Sequence, residues 1–247
     1  VSEELARNYL GGVGFAIKYL YDELKPGIPA LEKDNKLIFA VGPLTATGVP
    51  CTSRMAVVAK SPLTNAVGAA FAGGHFPAEM KRAGYDMIII EGRAEKPTYI
   101  SINGGDVHFR SAEKLMGMIT TDTQLFIKEE LRDHNFRVAC IGPAGERLVP
   151  MACIINERRA AGRKGLGAVM GSKNLKPVAV CGARTTTSAH PDELSNFATE
   201  LSRLPMRPAT AQSRQLGTSS TLLSLDTLGT LPTRNLQLTP LAHPSPL

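Results

Sequence analysis

The chain has 247 residues, of which 43% are hydrophobic and 20% charged, and its formal charge is +6. This is a globular composition that excludes a disordered or fibrous chain, and the length suits one large domain or two small ones. Trp is absent and aromatics are 5%, which leaves little for a single-strand stacking platform; no apolar run approaches the roughly 18 residues of a membrane span, and the positive charge suits an anionic ligand or an acidic partner.

The first predicted element is a short helix over 3–10, which runs into Gly11-Gly12-Val13-Gly14. A second, amphipathic helix over 15–24 would place Ile17, Leu20, Tyr21 and Leu24 on one face, and Pro26-Gly27 ends it. Runs rich in Val and Ile, bounded by Gly and Pro, predict strands over 36–41, 55–59, 87–91, 98–102, 136–141, 151–155 and 177–181. Helices are expected over 77–83 and 121–133. The elements lack the regular strand–helix alternation of a doubly wound sheet, so the fold class is α+β. After about Ala183 the composition shifts. One helix fits 188–204, with Pro191 near its first turn and Asp192 and Glu193 complementing its dipole. Residues 205–247 are rich in Ser, Thr, Leu and Pro and cannot build a core alone; they read as a linker, a tail or the opening of another domain.

The chain repeats itself. KLIFAVGPLTATGVP (36–50) parallels FRVACIGPAGERLVP (136–150), with Gly42-Pro43 and Val49-Pro50 each recurring at an offset of 100 residues. Each copy reads as an apolar strand, a Gly-Pro turn and a Val-Pro start to the next strand. GYDMIIIEG (84–92) is similar to LKPVAVCG (175–182). Two halves built alike predict a domain with pseudo-two-fold symmetry and mixed sheets, whose equivalent loops could hold two copies of a ligand.

Cys51, Cys140, Cys153 and Cys181 form no C-x-x-C pair and sit in or beside apolar runs, as buried reduced thiols of a cytoplasmic protein would. Two loops carry more chemistry. The first runs from Cys51-Thr52-Ser53-Arg54 through Ser61-Pro62-Leu63-Thr64 to Ala72-Gly73-Gly74-His75. The second, over 156–167 and continuing to Lys176, combines Arg158, Arg159 and Arg163 with glycines. Forked guanidinium donors, close backbone approach at glycine and a following helix N-terminus are the parts of an anion cradle. Gly171-Ser172-Lys173 reverses the Gly-Lys-Ser/Thr order of a Walker A loop. On residue types alone the second loop fits a phosphate-bearing cofactor, a polyanion such as RNA, or a solvated basic surface. His75 is a lone histidine of structural type, and Arg54 must find a partner or reach solvent.

Taken together, GPLTATGVP (42–50), SPLT (61–64), AGGHF (72–76), MKRAGYDMIIIEGRAEKP (80–97), IGPAGERLVPMACIIN (141–156) and RAAGRKGLGAVMGSKNLK (159–176) resemble the aldehyde:ferredoxin oxidoreductases, collinearly from about Leu5 to Gly182. The resemblance implies an N-terminal domain over 1–184, an α+β duplication that forms a base under two pterin-dithiolene cofactors holding one tungsten or molybdenum. A magnesium ion would bridge the pterin phosphates. The family's pterin-contacting arginine falls on Arg54 and its loop glycine on Gly73; its Arg-Ala-x-Gly element falls on Arg159, Ala160 and Gly162, with the Ala160 backbone carbonyl as a magnesium ligand. Residues 185–247 would be a linker and the start of a second domain, partly disordered.

The resemblance further implies oxidation of an aldehyde to a carboxylic acid, with electrons passing through a [4Fe–4S] cluster to ferredoxin. It implies no nucleic-acid or membrane partner. The cluster cysteines do not follow the segment around Gly229–Asn235 as the family's do, so the expectation is an incomplete chain, inactive alone, with a second copy or a separate chain as the source of the missing domains. Where well-known members have Asn, this chain has Phe71, and Lys164 stands where many have Gly. The reading from another class is a non-catalytic scaffold that binds a partner or a polyanion through its basic loop.

Overall fold

The structure, a computed structural model, describes residues 2–234 and 237. The chain forms two compact units, Val1–Leu194 and Ser195–Leu247. The first begins with α1 (Glu3–Tyr9) and α2 (Val13–Glu23), followed by β1 (Leu37–Val41), β2 (Met55–Lys60), β3 (Val67–Ala72), α3 (Phe76–Arg82) and β4 (Met87–Ile90). A hairpin of β5 (Thr98–Asn103) and β6 (Asp106–Ser111) comes next. Then come α4 (Thr120–Glu130), β7 (Arg137–Cys140), the short α5 (Pro143–Glu146), β8 (Ile154–Asn156), β9 (Arg159–Ala161), α6 (Leu166–Ser172) and β10 (Leu175–Cys181).

The duplication is written into the sheets. One sheet has the order β3-β2-β1-β4, and the other the order β6-β5-β10-β7-β8-β9. Without the β5–β6 hairpin, the second order is the first again: β9 for β3, β8 for β2, β7 for β1 and β10 for β4. Every neighbour in both quartets is antiparallel, and only β5 against β10 is parallel. Each half therefore runs helix, three strands, helix, strand, with α5 as the one short addition. The α+β class and its mixed sheets follow directly.

Alternating residues of each strand feed opposite faces. Leu37, Phe39 and Val41 of β1, with Met55 and Val57 of β2, point inward to meet Ala139 of β7 and Val178 and Val180 of β10. Helices α3 and α6 lie between the sheets and fill that layer with Phe76, Met80, Val169 and Met170. Each touches both sheets: α3 of the first half packs on β7 and β10 as well as on β1, and α6 of the second packs on β1 and β2 as well as on β8 and β10. The Phe39 and Phe76 rings meet at 6.1 Å, tilted by 49°, within the range where aromatic pairs attract. The outer face of the first sheet, Ile38, Ala40, Ala56 and Val58, is covered by α2. The outer face of the second, Tyr99, Val138, Cys140 and Ala179, shares a cluster with Ile127 of α4.

Several expectations are corrected in detail. Helix α2 buries Phe15, Ala16 and Leu20, whereas Ile17 is partly exposed and Tyr21 is 82% exposed, so the buried stripe is rotated from the expected one and relies on small residues. Strands β3, β6 and β9 add to the expected set. The Val-Pro pairs open no strand; they lie in turns, and β2 and β8 begin at Met55 and Ile154. The helix expected over 188–204 is α7 (Pro191–Arg203), with Pro191 as its first residue. Short helices α8 (Ala211–Leu216) and α9 (Leu222–Thr227) follow it; the remainder of the expectation for 205–247 lies in part outside the described residues. Among the described residues no helix is long and apolar enough to cross a membrane.

Candidate functional site: a two-arginine cleft between the repeats

The two edge strands β3 and β9 come from different sheets yet lie beside each other. Their registers define equivalent positions. Met55 pairs Ala72 and Ala56 pairs Phe71; Ile154 pairs Ala161 and Ile155 pairs Ala160. Ala72 is thus the counterpart of Ala161, Phe71 of Ala160, and Gly73 of Gly162. The Ser61 N–H donates to Ala66 O at 2.9 Å, which sets the phase of the β2–β3 ladder. Counting in alternation from there, Phe71 falls in a pair that exchanges no hydrogen bonds, so its carbonyl points off the hairpin. Ala160, next to the Asn156/Arg159 pair that closes a two-residue turn, has the same phase. Two backbone carbonyls, at Phe71 and Ala160, therefore project from facing edges.

A cleft of about 660 Å³ opens beside these edges, lined by the β1–β2 loop from Ala46 to Arg54, by Gly73, Gly74 and Ala78, and by Arg159. Its volume is in the range of small-molecule sites. Arg54 and Arg159 are exposed, and neither guanidinium has a partner among the described residues. Three of the five expected contacts, Arg54, Gly73 and Arg159, thus come together. Ala160 and Gly162 are exposed on β9 and the following loop but do not line the cleft.

The glycines separate into two kinds. A Cβ built on Gly73 would have Ser53 O at 3.6 Å as its nearest neighbour, and one on Gly162 would meet only Ala160 Cβ at 3.5 Å and Cys153 Sγ at 3.6 Å. Neither has a left-handed φ. Nothing in the chain itself therefore demands glycine at either position. Gly165 and Gly167 differ: a Cβ on Gly165 would sit 1.8 Å from Pro150 O, and one on Gly167 2.5 Å from Cys153 O. These two seat α6 against the β7–β8 loop, and the Gly167 N–H is already bonded to Ala152 O. The expected open cradle at the N-terminus of α6 is corrected accordingly: that helix end is buried in the protein.

The basic residues also sort by position. Lys173 is buried and donates to the carbonyls of Lys33, Asn35 and Gly92; burial pushes its ammonium down to about 8. Lys176, equally buried, pairs with Glu146 and donates to Met118 O at 2.8 Å. Neither is available to an anion. Lys164 has a left-handed φ of 67°, a conformation glycine adopts without strain.

The cysteines are all free. Cys140 is buried and Cys51 is exposed in the cleft wall, which corrects the expectation of uniform burial, with Cys153 and Cys181 between. Burial raises the Cys140 thiol to about 12. No three His, Cys, Asp or Glu residues among those described cluster as a metal site.

What composition and motif did not single out is the bracing of this cleft. Asn156, fully buried, donates from Nδ2 to Gly73 O at 2.8 Å. Glu157 accepts from the His75 N–H at 3.3 Å, and its Oε1 lies 2.9 Å from His75 Nδ1. In the opposite direction, Ser61 Oγ donates to Lys164 O at 2.7 Å. Burial works to raise the Glu157 carboxyl, but the bonds from His75 and the nearby Arg137 outweigh it and hold the group below its ordinary range.

Residues 1–182 match the family described as aldehyde ferredoxin oxidoreductase, N-terminal domain. The chain is 42% identical over 239 residues to the tungsten-containing aldehyde ferredoxin oxidoreductase of Pyrococcus horikoshii, an alignment covering 96% of this chain and 39% of that protein. It is 49% identical over 188 residues to the enzyme of the same description from Pyrococcus furiosus, covering 76% of this chain and 31% of that one. The similarity extends further along the chain than the quoted motifs. The chain spans under two-fifths of the length of these relatives. Among solved structures, the active-site complex BamBC of benzoyl coenzyme A reductase with 1,5-dienoyl-CoA superposes with a TM-score of 0.82 at 37% identity, over 84% of this chain and 32% of that one.

Proposed function

This chain belongs to the aldehyde ferredoxin oxidoreductase family, and on that premise we propose that it is the cofactor-holding base of a tungsten- or molybdenum-pterin oxidoreductase. The observation that carries the proposal is the pair of unpartnered guanidiniums, Arg54 and Arg159, on one cleft beside a glycine the protein itself does not require.

Arg54 and Arg159 would hold the cofactor's phosphates through forked, charge-assisted bonds. Gly73 and Gly162, without side chains, leave room for its close approach. The Ala160 carbonyl would offer magnesium the hard oxygen it prefers, and the equivalent carbonyl of Phe71 would offer a second. The replacement of Asn by Phe at position 71 then removes nothing, because the ligand is backbone and the ring lies half-exposed. When bound, the metal–pterin group supplies the redox chemistry, and the protein supplies position and electrostatics.

The relatives' names suggest an aldehyde as substrate and ferredoxin as electron acceptor; the structural neighbour's title, by contrast, concerns a coenzyme A thioester. The acid–base residues and the [4Fe–4S] cluster would belong to portions that the relatives have and this chain does not span, supplied by further sequence or by another chain. The test is the pterin and tungsten content of the purified protein, wild type against Arg54→Ala and Arg159→Ala, with loss in both variants expected.

A further inference from the structure

The turn between β8 and β9 is a two-residue hairpin, Glu157-Arg158, closed by Asn156 opposite Arg159. Glu157 has a φ of 53° while Arg158 does not enter the left-handed region. The first of two turn residues with positive φ is the place where a hairpin of this shape favours glycine. A glutamate there carries backbone strain that glycine would relieve. What the glutamate provides and glycine cannot is a carboxylate. That carboxylate reaches out of its own repeat and takes both His75 groups, the backbone N–H at 3.3 Å and ring Nδ1 at 2.9 Å. It belongs to the other half of the molecule, 82 residues away in sequence.

Its backbone is fixed as well. The Glu157 N–H donates to Gln124 Oε1 at 2.7 Å, which anchors the turn to α4. The neighbouring Asn156 bonds to Gly73 O. Together the two residues grip three consecutive positions, Gly73, Gly74 and His75; Gly74 is so close to them that a Cβ there would sit 2.9 Å from Asn156 Nδ2. Two residues beyond Glu157 on the same hairpin stands Arg159, the second repeat's contribution to the cleft.

From this geometry we propose that Glu157 is a positioning residue: by holding His75 it fixes the Gly73-Gly74 wall of the cleft against the hairpin that carries Arg159, and so sets the spacing of the two arginines. The proposal rests on the reading of the cleft as a phosphate site. Neither Glu157 nor His75 lines the cleft, so both act through other residues.

The probe is inorganic pyrophosphate, titrated calorimetrically into this chain at fixed pH and ionic strength. Wild type binds, and Arg159→Ala loses about ten-fold or more in affinity, as expected for one charge-assisted contact. Glu157→Gly, which relieves the turn, melts at or above the wild-type temperature yet loses about ten-fold in affinity. Glu157→Gln, which keeps an acceptor of the same reach, stays within about three-fold of wild type. His75→Ala removes the ring half of the contact from an exposed position, leaving the backbone N–H bond, and reproduces the loss in part, about three-fold or more, which covers a Glu157→Gly protein that fails to fold. Wild-type affinity in both Glu157→Gly and His75→Ala, with Arg159→Ala weakened, overturns the positioning role and leaves the cleft standing. Equal losses in the Gly and Gln variants accompanied by lower melting would reduce Glu157 to a fold residue. No binding by wild type, or an Arg159→Ala protein that binds as wild type does, overturns the cleft and the positioning role together.

Discussion

Asn156 Nδ2 donates to the Gly73 carbonyl at 2.8 Å, and the bond joins one repeat to the other. Its counterpart runs in the reverse direction, from Ser61 Oγ to the Lys164 carbonyl at 2.7 Å. In each case the end of a β-hairpin in one half holds the loop ahead of the interlayer helix in the other. Both side chains are fully buried, where each bond is strong and its loss leaves a polar group stranded. The duplicated fold thus works as two clasped halves, with the cleft along the seam.

The two kinds of glycine are expected to respond differently to a methyl group. Gly73→Ala and Gly162→Ala should change stability by less than about 0.5 kcal/mol, because a Cβ there meets nothing closer than 3.5 Å, and Gly73→Ala, on the cleft wall, should weaken pyrophosphate binding. Gly165→Ala places a Cβ 1.8 Å from Pro150 O at a left-handed φ of 68°, so it should cost about 3 kcal/mol or more. Urea unfolding of the three variants checks this; a Gly73→Ala protein as unstable as Gly165→Ala would mean that Gly73 serves the fold.

Acid should loosen the seam through Glu157. Its folded-state carboxyl lies below the ordinary value of 4.5, so its contribution is fully present above that value and is lost as pH falls through the lower folded one. Denaturant midpoints of wild type and Glu157→Gln, followed over roughly pH 3 to 6, should converge toward the acid end. A constant gap across that range would show that the carboxylate's charge contributes nothing.

Lys173 acts in the alkaline range, and with the same sign of slope. Burial pushes its ammonium down to about 8, against 10.5 for an ordinary lysine. Between those values the unfolded chain binds the extra proton, so this group makes stability rise with pH across the window and leaves it unchanged below. Lys173→Met should be less stable at neutral pH, since the carbonyls of Lys33, Asn35 and Gly92 lose their donor, and should lack that rise. Matching pH slopes in the two proteins between about 8 and 10.5 would refute the assignment.

How far the sequence carried can be judged from particular elements. The apolar strands β1, β2, β4, β5, β7 and β10 were legible because both faces of their sheets are covered, which demands continuous Val and Ile runs. The missed strands lack that signal. β3 is Val-Gly-Ala-Ala-Phe-Ala, β6 is exposed throughout, and β9 has three residues, two of them exposed. The face of α2 was misjudged because Ala16 packs against β1 and β2 as well as a larger residue would, while Tyr21 stays in water. Residue types mark Arg159 together with Arg158, Arg163 and the glycines of the second loop, and the family resemblance adds Arg54 and Gly73 as contacts; only the backbone distances separate glycines that seat a helix, such as Gly165 and Gly167, from glycines that leave room. Contacts such as Glu157 to His75 span 82 residues and have no local pattern to betray them.

The four cysteines should bind no iron–sulfur cube in this chain. A [4Fe–4S] cluster normally takes four thiolates; here Cys140 is buried with its thiol raised to about 12, while Cys51 lies exposed in the cleft wall. Anaerobic purification followed by iron analysis and visible absorption should find no stoichiometric iron. A thiolate-to-iron band with four irons per chain would contradict this.

The most direct test of the cofactor base is loading in a host that makes the pterin and is supplied with tungstate. The protein is purified anaerobically, and pterin and tungsten are quantified for wild type, Arg159→Ala and Arg184→Ala. Arg159 is an unpartnered cation on the cleft, whereas Arg184 lies beside Gly84, away from it. Wild type and Arg184→Ala are expected to retain pterin and tungsten together, and Arg159→Ala to lose about ten-fold or more, the effect of removing one charged phosphate contact. A wild-type protein without pterin, or equal loading in Arg159→Ala and Arg184→Ala, would contradict the assignment of this cleft.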